Sequence, residues 1–211
     1  MQYIYLHGFA SSPQSHKAQY LSNRFGEKGI NLQVLDLNQN DFTNLTLTRQ
    51  INQTVANFTD SDTPITLIGS SFGGLTSVWV GEKYPQVQRL VLLAPAFNFT
   101  SYWCNKLGEE QMQQWKESGF LSVYHYREDK LLPLSYSFCS DIYQYEQSLL
   151  QRKIPTLILH GKHDETIPIQ ASIDYAKQRS HVKLITLESD HSLGDKMEIV
   201  WQETKSFCSI N

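Results

Sequence analysis

Gly69-Ser70-Ser71-Phe72-Gly73 constrains this chain more than any other stretch. Ile65-Thr66-Leu67-Ile68 before it reads as a buried strand, and Gly74-Leu75-Thr76-Ser77-Val78-Trp79-Val80 after it reads as the helix that strand feeds. Glycines two places before and two after a serine let strand and helix approach around a sharp turn. Such a turn strains the serine backbone and presents its hydroxyl, the arrangement of a nucleophile elbow. Only Ser71 has glycine at both offsets; for Ser70 those positions hold Ile68 and Phe72. An ordinary turn satisfies the same spacing. A nucleophile reading therefore needs a base, an acid and oxyanion donors elsewhere in the chain.

The surrounding sequence alternates strands with helices. Strands are expected at 2–7, 32–36, 65–69, 89–94, 155–160 and 182–187, as near-continuous apolar runs such as Leu90-Val91-Leu92-Leu93. Runs of this kind suit a parallel sheet covered on both faces. Ser12-Pro13 has the form of a helix start and Gly29 that of its end. Leu47, Ile51 and Val55 mark a second helix, Tyr84-Pro85 ends the one after the elbow, and Met197, Val200, Trp201 and Phe207 share one face of a last helix. The pattern implies one doubly wound α/β domain over residues 1–211.

Residues 97–152 break that rhythm, separating two strands by more than a crossover helix needs. Two readings stand: a helical insertion packing its aromatics, among them Phe97, Phe99, Trp103, Trp115 and Phe138, into the core, or a cap roofing an apolar pocket.

Ligands of an open parallel sheet bind at the carboxyl ends of its strands. Ser71, Asp164 and His191 each follow a strand at that edge, in the chain order Ser, Asp, His that accompanies this elbow. His181 precedes its strand and falls on the opposite edge; His7 and His160 end strands and read as locally satisfied. Glu165 and Asp190 are fallback acids. In His7-Gly8-Phe9-Ala10-Ser11-Ser12-Pro13, Gly8 serves either a plain turn or a loop aiming a backbone amide, from Phe9 or else Ala10, at an oxyanion; the Phe72 amide is the second donor. His160-x-x-His163-Asp164 has no further ligand cluster to make a metal site.

Composition narrows the partners. A net charge of -3 with scattered Lys and Arg gives no basic footprint for nucleic acid or an anionic membrane. Cys104, Cys139 and Cys208 are odd in number and without metal-type spacing, which suits thiols in a reducing compartment. Met1-Gln2 runs straight into Tyr3-Ile4-Tyr5-Leu6 with no secretion signal, so a cytoplasmic location is expected.

The loop His7-Gly8-Phe9, the elbow around Ser71, the run His160-Gly161-Lys162-His163-Asp164-Glu165-Thr166-Ile167-Pro168 and the isolated Asp190-His191-Ser192 together resemble the α/β-hydrolase superfamily. The short length and the oxyanion loop on the first strand are similar to its small YqiA-like esterase branch. That resemblance implies a three-layer α/β-hydrolase fold: a six-stranded, mainly parallel sheet of order 2-1-3-4-5-6, helices on both faces and a short helical cap. It further implies an esterase with a Ser71–His191–Asp164 triad acting on a small-molecule ester or thioester, without metal or organic cofactor. A thioesterase, an acyltransferase and a non-catalytic binding protein on the same scaffold are the alternatives.

Overall fold

The structure, a computed structural model, describes residues 1–211 apart from the side chain of Cys104. Its elements follow in chain order: β1 (Gln2–Leu6), α1 (His16–Gly26), β2 (Leu32–Leu35), α2 (Leu47–Val55), β3 (Ile65–Ser70), α3 (Phe72–Lys83) and β4 (Val87–Leu93). Then come α4 (Phe99–Ser118), β5 (Phe120–His125), β6 (Lys130–Ser135), α5 (Ser137–Ile142), β7 (Thr156–Gly161), α6 (Gln170–Lys177), β8 (Val182–Leu187) and α7 (Met197–Phe207). Six strands form one sheet in the order β2-β1-β3-β4-β7-β8, every pair parallel. Counting only these six, the order is the expected 2-1-3-4-5-6.

Side-chain alternation along the strands builds two cores. Ile4, Leu6, Leu67, Leu90, Leu92 and Ile158 point to one face, where α2, α3 and residues of the 97–152 segment cover them. Tyr3, Tyr5, Ile68, Val91, Leu93, Leu157 and Leu159 point to the other, beneath α1 and α7. β3 and β7 are buried along their whole length, which is why they read as unbroken apolar runs. Register carries their ends to one level: Ser70 pairs with Leu93, Leu93 with Leu159, and Gly161 with Leu187.

Two expectations need correction. α1 begins at His16, not at Ser12-Pro13; those residues form a preceding turn in which the Ser15 amide donates to Ser12 O at 3.1 Å. The 97–152 segment is not wholly helical, because β5 and β6 pair as an antiparallel hairpin outside the main sheet. Phe120-Leu121-Ser122-Val123-Tyr124-His125 does alternate in exposure, but the connecting turn puts positive φ on Asp129 rather than on a glycine, so the usual hairpin signal is absent.

The aromatics of that segment divide. Phe97, Phe99, Trp115 and Phe138 are buried in the first core, whereas Phe120, Tyr124, Tyr126 and Tyr143 are exposed. Trp115 Nε1 donates to Leu134 O at 2.9 Å, joining α4 to the hairpin. The segment also grips the strand-end loops: the Tyr126 amide donates to Ala10 O at 3.1 Å and the Ser135 amide to Thr43 O at 2.9 Å. Among the described residues no helix is long and apolar enough to cross a membrane.

The elbow glycines mark the tightest contacts of the fold. A Cβ on Gly73 would overlap the carbonyl oxygens of Leu6 and His7, and one on Gly69 would overlap Gly73 O and Ser77 Oγ. Backbone cannot yield there as a flexible side chain could. Gly73→Ala is therefore expected to destabilise the fold by about 1–3 kcal/mol or more. A Cβ on Gly26 meets nothing within 4 Å, so Gly26→Ala should leave the denaturation midpoint unchanged or raise it. Urea denaturation of the two variants checks the contrast.

Candidate active site

Ser71 joins β3 to α3 with φ 53° and ψ -118°, a conformation that L residues rarely hold. Its backbone is pinned on both sides. The Ser71 amide donates to Leu93 O at 2.9 Å, and Ser71 O accepts from the Gly74 and Ala96 amides at 2.9 and 3.0 Å. Gly8, in the loop after β1, lies against it; a Cβ there would sit 3.2 Å from Ser71 Cβ and 3.8 Å from Oγ. Phe72 is the first residue of α3, so its amide has no intrahelical acceptor. The Phe9 ring is wedged among Phe42, Phe72, Phe99, Trp103 and Phe138, at centroid distances of 5.3–6.1 Å. That packing holds the Phe9 loop beside the elbow.

Asp164 turns back from the loop after β7 and is buried. Its Oδ1 accepts from the Thr166 and Ile167 amides, both at 2.8 Å. Its Oδ2 accepts from His191 Nδ1 at 2.6 Å and from His160 Nε2 at 3.0 Å. Burial pushes the Asp164 carboxyl up, but the bonds from His160, His191 and the Ile167 amide outweigh it and hold the group well below the usual carboxylate range. A proton on His191 Nδ1 facing the carboxylate leaves Nε2 as the acceptor nitrogen. None of these bonds includes the Ser71 hydroxyl. The structure thus brings Asp164 and His191 into contact, with Ser71 at the same sheet edge.

His160 is the residue that sequence reasoning missed. It is fully buried, with Nε2 shared between Asp164 Oδ2 and Ile167 O and Nδ1 accepting from the Ser172 hydroxyl at 2.8 Å. The signal was its spacing, four residues before the acid across a tight turn. His163 instead faces outward to Glu188 at 3.0 Å, so the two imidazoles of the His160-x-x-His163 run serve different partners. Of the other candidates, His7 accepts from the Leu37 amide and bonds Gly8 O, a local role. Asp190 is occupied by the Ser192 amide and hydroxyl at 2.8 and 2.6 Å, and Glu165 is exposed.

The His191 turn crosses close over β7. A Cβ on Gly161 would overlap the carbonyl oxygens of Ser189 and Asp190, so glycine is required for that passage. Buried Leu193, at φ 53°, anchors the turn in the second core, and Ser189 Oγ bonds Asp195 Oδ1 across it. On its outer side Lys17 of α1 donates to two of its carbonyls. Lys17 carried no sequence signal.

Sheet order, two-faced helix packing and the strained serine at a strand-to-helix turn define the class: this is an α/β-hydrolase fold. The chain belongs to an uncharacterised protein family, UPF0227, whose model matches residues 2–208. It is similar in structure to the mouse α/β hydrolase domain-containing protein 10, at 19% identity and a TM-score of 0.80, covering 100% of this chain and 90% of that one. Est1E from Butyrivibrio proteoclasticus, solved with ferulic acid, matches at 22% identity and a TM-score of 0.79, over 97% of this chain and 86% of its own. A monoacylglycerol lipase from Paleococcus ferrophilus matches at 14% identity and 0.71, over 100% and 95%. No curated protein matches it in sequence.

Because Asp164 is held below its ordinary range, its ionised form stabilises the fold above the free carboxyl pKa of about 4, and that contribution fades as pH falls through the folded value. Asp164→Asn should therefore cost about 1–3 kcal/mol at pH 7, and the gap to wild type should narrow steadily below pH 4. Denaturation of both proteins across pH 2–7 measures it.

Proposed function

We propose that this protein is a serine hydrolase that cleaves carboxylic esters of small, apolar-acyl substrates through an acyl-enzyme on Ser71. The observation that carries the reading is the 2.6 Å contact from His191 Nδ1 to a buried, strongly acidic Asp164, at the sheet edge where Ser71 holds its strained turn. In this reading Ser71 Oγ attacks the acyl carbonyl as His191 Nε2 takes its proton. Asp164 fixes the tautomer and stabilises the imidazolium. The Phe9 and Phe72 amides receive the oxyanion, and each such donor contributes a factor of about 10²–10³ in rate. His191 then protonates the departing alcohol, and water repeats the cycle to release the acid.

Residues 97–152 act as the wall of the acyl site. Phe99, Trp103 and Phe138 from that segment meet Phe9 and, except Trp103, Phe72 within 6.1 Å. Phe99 and Phe138 are buried and Trp103 is partly exposed, so the elbow is backed by apolar packing that favours hydrocarbon over charged acyl groups.

A fluorophosphonate probe tests the nucleophile. Wild type should be labelled and Ser71→Ala should not, with ester turnover falling by about 10⁴–10⁶-fold in the variant. Labelling that persists in Ser71→Ala would sink the assignment. A panel of oxyesters, thioesters and acceptor alcohols then sets ester hydrolysis against thioester cleavage and acyl transfer.

A further inference from the structure

We propose that Lys17 is a positioning residue whose ammonium grips two successive carbonyls of the turn carrying His191, setting the direction of the imidazole without touching substrate. The inference rests on His191 being the base. Lys17 Nζ donates to Ser192 O at 2.9 Å and to His191 O at 3.4 Å. The two residues lie 174 positions apart in sequence, so this is a tertiary tie.

Local helix formation does not explain a lysine here. Lys17 is the second residue of α1, where the partial positive charge of the helix start disfavours a cation, and no acidic residue in that first turn offsets it. A pair of outward carbonyls does explain it. The charged groups facing the ammonium are Asp164, from the loop after β7, and Asp190, from the loop after β8. Burial lowers the Lys17 pKa to about 8, the two carboxylates opposing that fall, so the side chain carries its charge at neutral pH against a desolvation penalty.

The remaining bonds explain why such a tie matters. Ser189–Asp195 and Asp190–Ser192 are internal to the turn and would move with it, while the His163 amide to Ser189 O at 3.0 Å and His191 Nδ1 to Asp164 tie it to the loop after β7. Lys17 instead connects it to α1, which the chain enters directly from the Phe9 loop. The base and the oxyanion loop are thereby referenced to one helix.

The sign of the charge effect separates this role from a plainly structural one. A folded-state pKa below the free value means that protonated Lys17 opposes folding below about pH 8. Lys17→Met should therefore keep or raise the melting temperature at pH 7. It should also speed amide hydrogen exchange across residues 188–196 and lower kcat by about 10–10²-fold, with KM little changed. Lys17→Arg, which keeps the donor and the charge, should restore both exchange and kcat. Unchanged exchange in the Met variant, or a loss of activity that tracks a lowered melting temperature and is not rescued by arginine, overturns the proposal. A wild-type protein without hydrolytic turnover would refute the functional reading instead, and exchange at 188–196 would still judge the clamp.

Discussion

The Asp164 carboxylate gathers four hydrogen bonds from separate points of the chain, and the geometry of the site depends on it. Two come from the backbone of its own loop, one from a histidine at the end of β7 and one from the histidine beyond β8. A buried carboxylate without those donors would bear the full desolvation penalty of its charge. With them, the ionised form is the stable one, and its position is overdetermined. His160 reaches on to Ser172 in α6, so the acid is braced against a helix as well as against the sheet.

Glycine serves the same end by another route. Gly69, Gly73 and Gly161 each sit where a methyl group would strike backbone. The first two let α3 start tight against β1 and β3; the third lets the His191 turn pass over β7. Side-chain chemistry at the carboxyl edge is thus set by how closely main chains can approach beneath it.

Much of this was readable in the sequence. β3 and β7 are buried throughout, so unbroken apolar runs announced them, and the offsets of Gly69 and Gly73 singled out Ser71 over Ser70. Asp164 and His191, which meet in space, were each picked out by following a strand end. The hairpin of β5 and β6 was not legible, because its turn lacks glycine and its partner surface is a loop far away in sequence. The helix start at His16 was misplaced because Ser12-Pro13 fits a turn as well as a cap. His160 and Lys17 escape a sequence reading for different reasons: the spacing of His160 four residues before Asp164 is one that a plain turn also satisfies, whereas the partners of Lys17 lie 174 and 175 residues away and no local pattern encodes them.

Of the five rings that enclose Phe9, three belong to residues 97–152: Phe99, Trp103 and Phe138. The loop bearing the Phe9 amide is therefore moulded by the most irregular part of the chain. Under the proposed hydrolase function, recognition and rate enhancement are then not separable modules. A chimera that borrowed this segment from a relative to acquire new selectivity would also reshape the surroundings of that amide, and matching rings at these three places would have to travel with the graft.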